Sequence, residues 1–378
     1  MSDPFLSPVP WHTANPGWYP DPWQQADWRW WDGRAWTGQL AASPRKKPFL
    51  PGWLSVPVLV AAPITVLLLI LTAITSFIAI PLGLIPLLIV LPVLGWLDRV
   101  EPEPLSGRYH AVLWGATVAV SIAFIINSAV GFAFGDEVAA VFSAPIVEEA
   151  AKGLGVLFIV RRREIDGVID GIVYASWVAI GFAVVEDMVY LADGGETGDL
   201  LVVFILRVLL TPFAHPLFTF WIGLAVGLAI ARGRSVFPYF LWGYALAVLT
   251  HMTWNGTLVL SELVNEGIVL VGILVFVCLF AIVVTALIIA RRRQQRLFSA
   301  AVPWLAQRYG LTENEVMLFV NWRVMLSYRR RLPRAQRKRF DAVHAALARL
   351  AVLHARPVPI DRQTEEVLVS DLHDARYG

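Results

Sequence analysis

The chain has 378 residues, of which 57% are hydrophobic and 16% are charged, and its net charge is +2. Soluble domains carry about 25% charged residues, so this composition, with a mean hydropathy of +0.62, excludes an ordinary soluble protein. The charged residues are segregated and leave long apolar runs between them. We therefore expect an integral membrane protein with soluble ends. Its single cysteine, Cys278, is expected to be a buried thiol that forms no intrachain disulfide.

The first 48 residues are polar, rich in proline and dense in tryptophan. They lack the basic and apolar regions of a secretory signal, so we expect no cleaved signal peptide. Proline and glycine favour turns, and the aromatic residues predict a very small sheet-like unit with a tryptophan core. Contact with a peptide or a membrane surface is the alternative role for these tryptophans. The pattern PGWYPDP (16–22), WWDG (30–33) and WT (36–37) resembles a short tryptophan-rich bacterial module of unknown function that often precedes membrane segments.

Eight apolar runs follow, each near or above the roughly 20 residues that a membrane-spanning helix needs. They cover residues 53–73, 76–96, 111–134, 138–160, 168–192, 200–231, 237–259 and 267–290. Pro81, Pro86 and Pro92 predict an irregular second span, because each proline removes a backbone donor. The sixth run contains Pro212 and Pro216, so it is either one kinked helix or two shorter pieces. The predicted fold class is an all-α polytopic membrane protein with about eight transmembrane helices.

Lysine and arginine at the ends of the runs predict the orientation. With eight spans, four basic clusters lie on the cytoplasmic side, at 45–47, 161–163, 232–234 and 291–296. The opposite side receives loops that contain no lysine or arginine, at 135–137, 193–199 and 261–267. The prediction is a multi-pass protein of the plasma membrane with both termini in the cytoplasm.

The predicted domains are a tryptophan-rich module with its linker at 1–48, a transmembrane domain at 49–292 and a tail at 293–378. The tail is basic, and FDAVHAALARLAVL (340–353) has helical periodicity. The run YRRRLPRAQRKRF (328–340) suits contact with anionic lipid headgroups or nucleic acid, and a solvated or lipid-facing juxtamembrane surface is the ordinary interpretation. The sequence contains no glycine-rich phosphate loop and no CxxC pair, and nucleic acid is not an expected partner.

Ten polar or ionisable residues lie inside the apolar runs, where such side chains are costly and mark functional sites by default. They are Glu148, Glu149, Lys152, Asp170, Glu186, Asp187, Arg207, His215, His251 and Asn255. At a rise of about 1.5 Å per residue, Glu148 and Glu149 lie about 15–16 Å from the outer surface. Glu186 lies about 9 Å from it and His251 about 12 Å. Residue 215 lies near the middle of the sixth run. Four helices are therefore expected to carry carboxylates and imidazoles to one layer.

The local spacing separates the tasks of the two adjacent glutamates. Lys152 follows Glu148 by four residues and Glu149 by three, so either acid can share a helix face with it. The two acids point about 100° apart, so we expect one to hold a water molecule and the other to pair with Lys152. Burial without a partner makes a carboxylate a stronger base, which suits general-base catalysis. His251 and Asn255 also share a helix face.

Four motifs occur in order on successive runs: EEAAK (148–152), FAVVED (182–187), FAHPLFTFWIGLAVG (213–227) and LTHMTWNG (249–256). Together they resemble the PrsW-type intramembrane proteases, which belong to a wider clan with the CAAX prenyl endopeptidases and bacteriocin-immunity-type membrane proteins. The resemblance extends over about residues 50–290. The family commonly has asparagine where this chain has Asp187, and glycine where it has Ala214. Arg207 is a candidate to compensate the extra charge of Asp187.

The resemblance implies hydrolysis of a peptide bond, within or next to the membrane, in a membrane-anchored protein such as an anti-sigma-type regulator. Carried over by motif, Glu148 and Glu149 form the water-activating pair, and Lys152 orients one of them. The residues that complete the catalytic set are Glu186, His215 and His251. Asn255, together with a histidine, is expected to support the developing oxyanion.

The resemblance also bears on a metal, because PrsW-type proteases are classed as metalloproteases. Two histidines with a glutamate form a common catalytic zinc set, and the candidate ligands of a single divalent metal are Glu149, Glu186, His215 and His251. The chain lacks an HExxH motif. We therefore favour metal-free glutamate chemistry, as is conceivable for the wider clan, with a metal such as zinc as the alternative.

Other interpretations of the same residues stay open at this point. Buried glutamates also serve in structural ion pairs and proton relays, and buried histidines in hydrogen bonds between helices. Arg207 could simply neutralise Glu186, and we expect Asp170 and Asp187 to be structural or interfacial. The second function class is a proton-coupled transporter or a non-catalytic scaffold. Transporters often contain internal repeats, and no convincing repeat is visible here.

Overall fold

Helices make up almost all of the described chain after residue 51. The computed structural model describes residues 17–20, 22–23, 25, 28–41, 52–161, 164–197, 199–265, 267–355 and 362–377. The α-helices are α1 Gly52–Thr75, α2 Ala79–Gly83, α3 Ile85–Leu97, α4 Leu105–Leu113, α5 Val120–Phe134, α6 Asp136–Val138, α7 Ala144–Arg161, α8 Val168–Thr197, α9 Leu200–Val203, α10 Ala214–Ala231, α11 Val236–Leu263, α12 Ile268–Tyr309, α13 Glu313–Val320, α14 Trp322–Arg331, α15 Arg334–Ala355 and α16 Arg362–Tyr377. Segments of π-helix lie at Trp114–Ala119, Ala139–Ser143 and Phe204–Leu210. Residues 1–10, where no signal peptide is expected, lie outside the described residues. The basic residues at 45–47 and 162–163 lie outside them as well.

All eight predicted apolar runs fall on helices, and six of these regions have the length and composition of a membrane span. The six are Val56–Thr75, Ala79–Leu97, Leu105–Phe134, Val168–Gly194, Leu200–Ala231 and Ile268–Tyr309. The other two runs form α7 and α11, and the sequence of α7 carries four charged residues in 18 positions. The membrane part is therefore an all-α polytopic bundle, as predicted.

Prolines interrupt two of the predicted runs. The second run is divided into α2 and α3, with Pro86 in the first turn of α3, where a missing N–H costs no helical hydrogen bond. The sixth run consists of two pieces, because residues 211–213 separate a π-helical segment from α10. Thr211 bonds twice to the carbonyl of Leu206, through its backbone nitrogen at 3.1 Å and its hydroxyl at 2.8 Å. The break places His215 in the first turn of α10 rather than in the middle of a continuous span.

Helix α8 is the centre of the bundle, and 83% of its most apolar 18-residue stretch is buried. It meets α10 backbone to backbone, because a Cβ added at Gly223 would lie 2.4 Å from the carbonyl oxygen of Gly171. Close approach of this kind is typical of helix pairs in membranes. In α12, by contrast, 11% of the corresponding 18-residue stretch is buried. Cys278 lies on the exposed surface of α12, so the prediction of a buried thiol is wrong.

The N-terminal module contains a small antiparallel sheet, formed by β1 Gly17–Pro20, β2 Trp28–Trp31 and β3 Trp36–Ala41 in that order. Asp32 closes the turn between β2 and β3, since its Oδ1 accepts from the backbone N–H groups of Arg34 and Ala35 at 2.7 Å each. The rings of Trp31 and Trp36 meet edge to face with centroids 5.3 Å apart, and Trp31 is buried. The sheet-like unit with a tryptophan core is therefore found.

The C-terminal helices have a core of their own. The chain divides into two compact units, one at 48–99 and 103–290 and the other at 1–47, 100–102 and 291–378. In the second unit, the buried rings of Phe298 and Phe319 lie 5.2 and 6.3 Å from that of His344. Burial lowers the pKa of His344 to about 4, so this imidazole is neutral at pH 7. The predicted tail is helical, while the predicted domain bounds stay a prediction.

Candidate active site

Lys152 is fully buried and lies in the middle of a cluster of acids and imidazoles. Its Nζ is 2.7 Å from Oε1 of Glu149, 3.5 Å from Oε2 of Glu148 and 3.1 Å from Nδ1 of His215. It also lies 4.3 Å from the ring centroid of Phe182. An ammonium group only donates hydrogen bonds, so Nδ1 of His215 accepts here and Nε2 carries the proton. One turn of α7 thus supplies both adjacent acids and the cation that holds them.

Glu186 on α8 joins His215 to Arg207. Its Oε2 accepts from Nε2 of His215 at 2.6 Å and from Nη2 of Arg207 at 2.5 Å. Nε of Arg207 donates to Oδ1 of Asp187 at 3.0 Å, so this arginine compensates the charge of Asp187 as expected. Arg207 lies in the π-helical segment before the break at 211–213, and the break lets one run present both Arg207 and His215 to the same carboxylate.

Helix α11 contributes His251 to the cluster. Nδ1 of His251 lies 3.1 Å from Oε1 of Glu149, and its ring stacks on Phe218 with centroids 4.4 Å apart. Oε2 of Glu149 accepts a hydrogen bond from the hydroxyl of Thr219 at 2.8 Å. Sequence reasoning missed Thr219, because a helical threonine commonly bonds a carbonyl of its own helix, and no sequence pattern shows that this hydroxyl points to α7.

Glu148 differs from Glu149 in having an oxygen that accepts no hydrogen bond. Oε1 of Glu148 accepts from Nδ2 of Asn127 at 3.4 Å, and Oδ1 of Asn127 in turn accepts from the hydroxyl of Ser143 at 2.8 Å. Oε2 of Glu148 has no hydrogen-bond partner within the described part of the chain. The two adjacent acids therefore occupy different environments, and Glu149 is bonded on both of its oxygens.

Two of the ten predicted polar residues lie elsewhere. Nδ2 of Asn255 donates to the carbonyl of Ala140 at 2.9 Å, which links α11 to the π-helical segment at 139–143. Oδ2 of Asp170 accepts from the backbone N–H of Asp166 at 3.0 Å, at the start of α8. The structure brings together the other eight, which are Glu148, Glu149, Lys152, Glu186, Asp187, Arg207, His215 and His251.

A divalent cation would fit this cluster. Glu148, His215 and His251 each place one donor atom within 4.8 Å of the others. Glu148 has the oxygen without a hydrogen bond, and Nε2 of His251 accepts none from any residue that the structure describes. His215 uses both ring nitrogens, so a metal bound to it replaces its contact with Lys152 or with Glu186. This set contains both predicted histidines, with Glu148 in place of the predicted glutamates.

Helices α7, α8, α10 and α11 thus enclose four carboxylates, two cations and two imidazoles in the interior of a polytopic bundle. Ionisable groups collected in this way are rare in membrane proteins and belong to those that perform chemistry or move protons inside the bilayer.

Comparison with known proteins identifies the family. Residues 103–287 match the PrsW family intramembrane metalloprotease, and residues 16–48 match a protein of unknown function, DUF2510. Over 173 residues the chain is 34% identical to Protease PrsW of Geobacillus kaustophilus (strain HTA426). The matched segment covers 44% of this chain and 72% of the relative. The chain belongs to the PrsW family, and it is a protease.

Two further relatives agree with this assignment. The chain is 27% identical over 177 residues to Protease PrsW of Oceanobacillus iheyensis, with 46% of this chain and 79% of the relative covered. It is 31% identical over 149 residues to Protease PrsW of Clostridioides difficile (strain 630), with 38% and 62% covered. No solved structure matches the chain. The predicted resemblance is confirmed for residues 103–287, and helices α1–α3 lie outside the matched segment.

Thr219→Val is expected to slow cleavage roughly tenfold or more, because a hydrogen bond to a charged group contributes about 1.5–3 kcal/mol. The loss falls on Glu149, whose Oε2 then has no hydroxyl donor. Initial rates in reconstituted membranes measure it, with Thr253→Val as the matched control, since the exposed Thr253 bonds the carbonyl of Leu249 on its own helix. Equal rates for the two variants would show that Thr219 is only a packing residue.

Proposed function

We propose that this protease hydrolyses a peptide bond of a membrane-anchored protein, at a position inside or next to the bilayer. The observation that carries the proposal is the buried cluster in which α7, α8, α10 and α11 each contribute an acid or an imidazole. Acids buried in a bundle of apolar helices are poorly accessible to a soluble peptide. On the family resemblance, a regulator of the anti-sigma type is a suitable substrate.

In the scheme without a metal, Glu148 is proposed to hold the attacking water and to take up its proton on Oε2, the oxygen without a hydrogen bond among the described residues. Glu149 orients His251 through the contact at Nδ1, which leaves the lone pair of Nε2 directed away from Glu149. Lys152 keeps the two adjacent carboxylates together by balancing one of their charges. Glu186 holds the ring of His215 in one orientation.

If a divalent metal such as zinc is bound, Glu148, His215 and His251 are proposed to hold it. A metal would supply polarisation of the scissile carbonyl and a more acidic bound water. The carboxylates of Glu149 and Glu186 already bond the two imidazoles, as carboxylates behind metal-bound histidines commonly do. This arrangement, with the family description as a metalloprotease, favours a metal over the metal-free chemistry that the missing HExxH motif suggested.

We place the protein in the plasma membrane with both termini in the cytoplasm, on the distribution of basic residues. All four basic clusters share one side if α7 and α11 cross the bilayer together with the six candidate spans. Asn255 is proposed to support α11 rather than the oxyanion, because its amide nitrogen already bonds the carbonyl of Ala140.

Membrane vesicles from a host that lacks this protein provide the test. The purified full-length chain is reconstituted into them, and new protein N-termini are labelled and read by mass spectrometry. We expect new termini in or beside apolar segments with the unmodified chain, and about 10²–10⁴-fold fewer with Glu148→Gln. Glu137→Gln, an exposed acid in the same unit, is the matched control and is expected to cleave normally.

Metal analysis of the same preparations separates the two chemical schemes. Stoichiometric divalent metal that is lost from both His215→Ala and His251→Ala would establish the metal site. Unchanged cleavage by Glu148→Gln would contradict the proposed base. Absence of any new terminus with the unmodified chain, combined with proton flux across the vesicle membrane, would contradict the proposed proteolysis.

A further inference from the structure

The charges of the C-terminal helices are distributed very unevenly. Residues 316–340, which we call the basic segment, contain eight lysines and arginines and no aspartate or glutamate. Residues 341–377 contain four lysines and arginines and six acids. The family match ends at residue 287, so neither region has an assigned role.

Three of the eight cations in the basic segment are occupied within the protein. Nε of Arg329 donates to Asp341 at 2.5 Å, Arg337 donates to the carbonyl of Leu332 at 3.1 Å, and Arg339 bonds the carbonyls of residues 375 and 376. The other five are exposed and form no side-chain hydrogen bond or ion pair with any residue in the described ranges. They are Arg323, Arg330, Arg331, Arg334 and Lys338.

The basic segment also carries exposed apolar side chains. On α14, at about 100° per residue, Arg323, Ser327, Arg330 and Arg331 share the exposed face, while Met325 points into the core. Three large apolar side chains of α13 and α14 are also exposed, namely Met317 at 66%, Val320 at 40% and Val324 at 48%. Apolar side chains flanked by lysine and arginine are the signature of helices that lie in a membrane interface.

We propose that the basic segment docks on the anionic phospholipid headgroups of the bilayer in which the protein is embedded. The segment cannot diffuse away from a bilayer, because α12 runs from the apolar residues 268–290 into Arg291 without interruption. Basic juxtamembrane segments are attracted to anionic lipid. The exposed Met317, Val320 and Val324 add an apolar contact that a bilayer offers and that nucleic acid or an acidic soluble protein does not require.

The test uses the full-length chain in lipid nanodiscs. Cys278→Ser removes the native thiol, and Ser327→Cys carries an environment-sensitive fluorophore on the face of the free arginines. We expect a blue shift in discs with about one-third anionic phosphatidylglycerol and none in pure phosphatidylcholine. The shift is expected to disappear at about 0.5 M salt, since salt screens exposed charges. A reporter at Asp374→Cys, exposed on α16, is expected to give no shift in either lipid.

The triple variant Arg323→Gln, Arg330→Gln, Arg331→Gln tests the residues themselves. At roughly fivefold per cation, it is expected to reduce the docked-to-undocked ratio about a hundredfold. A shift that is the same in both lipids, or that the triple variant retains, would overturn the proposal. A shift that follows added single-stranded polynucleotide, or that requires two copies of the chain per disc, would overturn it in favour of those partners.

Discussion

Replacing Lys152 by methionine is expected to lower the free energy of unfolding by about 3–5 kcal/mol and to abolish cleavage, because it leaves buried charges uncompensated. Lys152 has no exposed surface, and its Nζ contacts Glu149 at 2.7 Å and Glu148 at 3.5 Å. Removing the ammonium therefore leaves two adjacent carboxylates in the interior without their cation. Equilibrium unfolding in mixed micelles, followed by tryptophan fluorescence, measures the loss.

A double variant separates stability from catalysis. Lys152→Met combined with Glu149→Gln removes both partners of the shorter of the two ion pairs that Lys152 makes, and such replacements are commonly close to neutral for stability. We expect the double variant to recover much of the unfolding free energy and to remain inactive, since the orienting carboxylate of His251 is gone. A single variant Lys152→Met that unfolds like the unmodified protein would refute the role of Lys152 as the central cation.

Arg207→Gln is expected to reduce cleavage about a hundredfold, and Asp187→Asn in the same chain is expected to restore much of it. Arg207 bonds Glu186 at 2.5 Å and Asp187 at 3.0 Å, and the same oxygen of Glu186 holds His215. Counted at formal charges, the four carboxylates and two cations of the cluster sum to −2, and the loss of the arginine makes the sum −3. Neutral asparagine at 187 returns it to −2. Neighbouring charges couple by about 0.5–3 kcal/mol in such cycles.

Cleavage rates of the two single variants, the double variant and the unmodified chain complete this cycle. Arg232→Gln is the matched control, because Arg232 is an exposed arginine at the end of α10 and is expected to be replaceable without effect. Additive effects of Arg207→Gln and Asp187→Asn would mean that Arg207 does not act by compensating Asp187. The same cycle tests whether the chain tolerates asparagine at position 187, the residue that the family resemblance implies there.

Much of the fold follows from the sequence, because burial in lipid leaves the backbone few alternatives to a helix. The apolar runs gave the positions of the helices. Pro81, Pro86 and Pro92 predicted the irregular second span, and of these Pro92 lies inside the uninterrupted α3. The sequence did not decide whether the sixth run forms one kinked helix or two shorter pieces. Two prolines fit a kinked helix as well as two pieces, and the deciding feature, the bonds of Thr211 to Leu206, depends on a local π-helical register that has no clear sequence signal.

The site residues were predictable where burying a side chain in apolar surroundings costs much free energy. Buried acids and histidines stand out in apolar runs, and the i,i+3 and i,i+4 spacing anticipated the contacts of Lys152. Thr219 and Asn127 were not predictable. Small polar side chains cost little free energy within a helix, and the direction in which they point depends on the neighbouring helix. The face shared by His251 and Asn255 was correct, yet the amide of Asn255 bonds Ala140, which no spacing rule indicates.

The ammonium of Lys152 is a counter-ion supplied by the chain itself, and this affects how the bundle assembles. Many metal sites order only when the ion arrives, so that binding and folding are one event. Here the acids of α7 and the imidazole of α10 already have a cation from their own chain. The bundle can therefore insert and close before any exogenous ion reaches it, and if the proposed metal is bound, a chelator is expected to stop cleavage while leaving the helices in place.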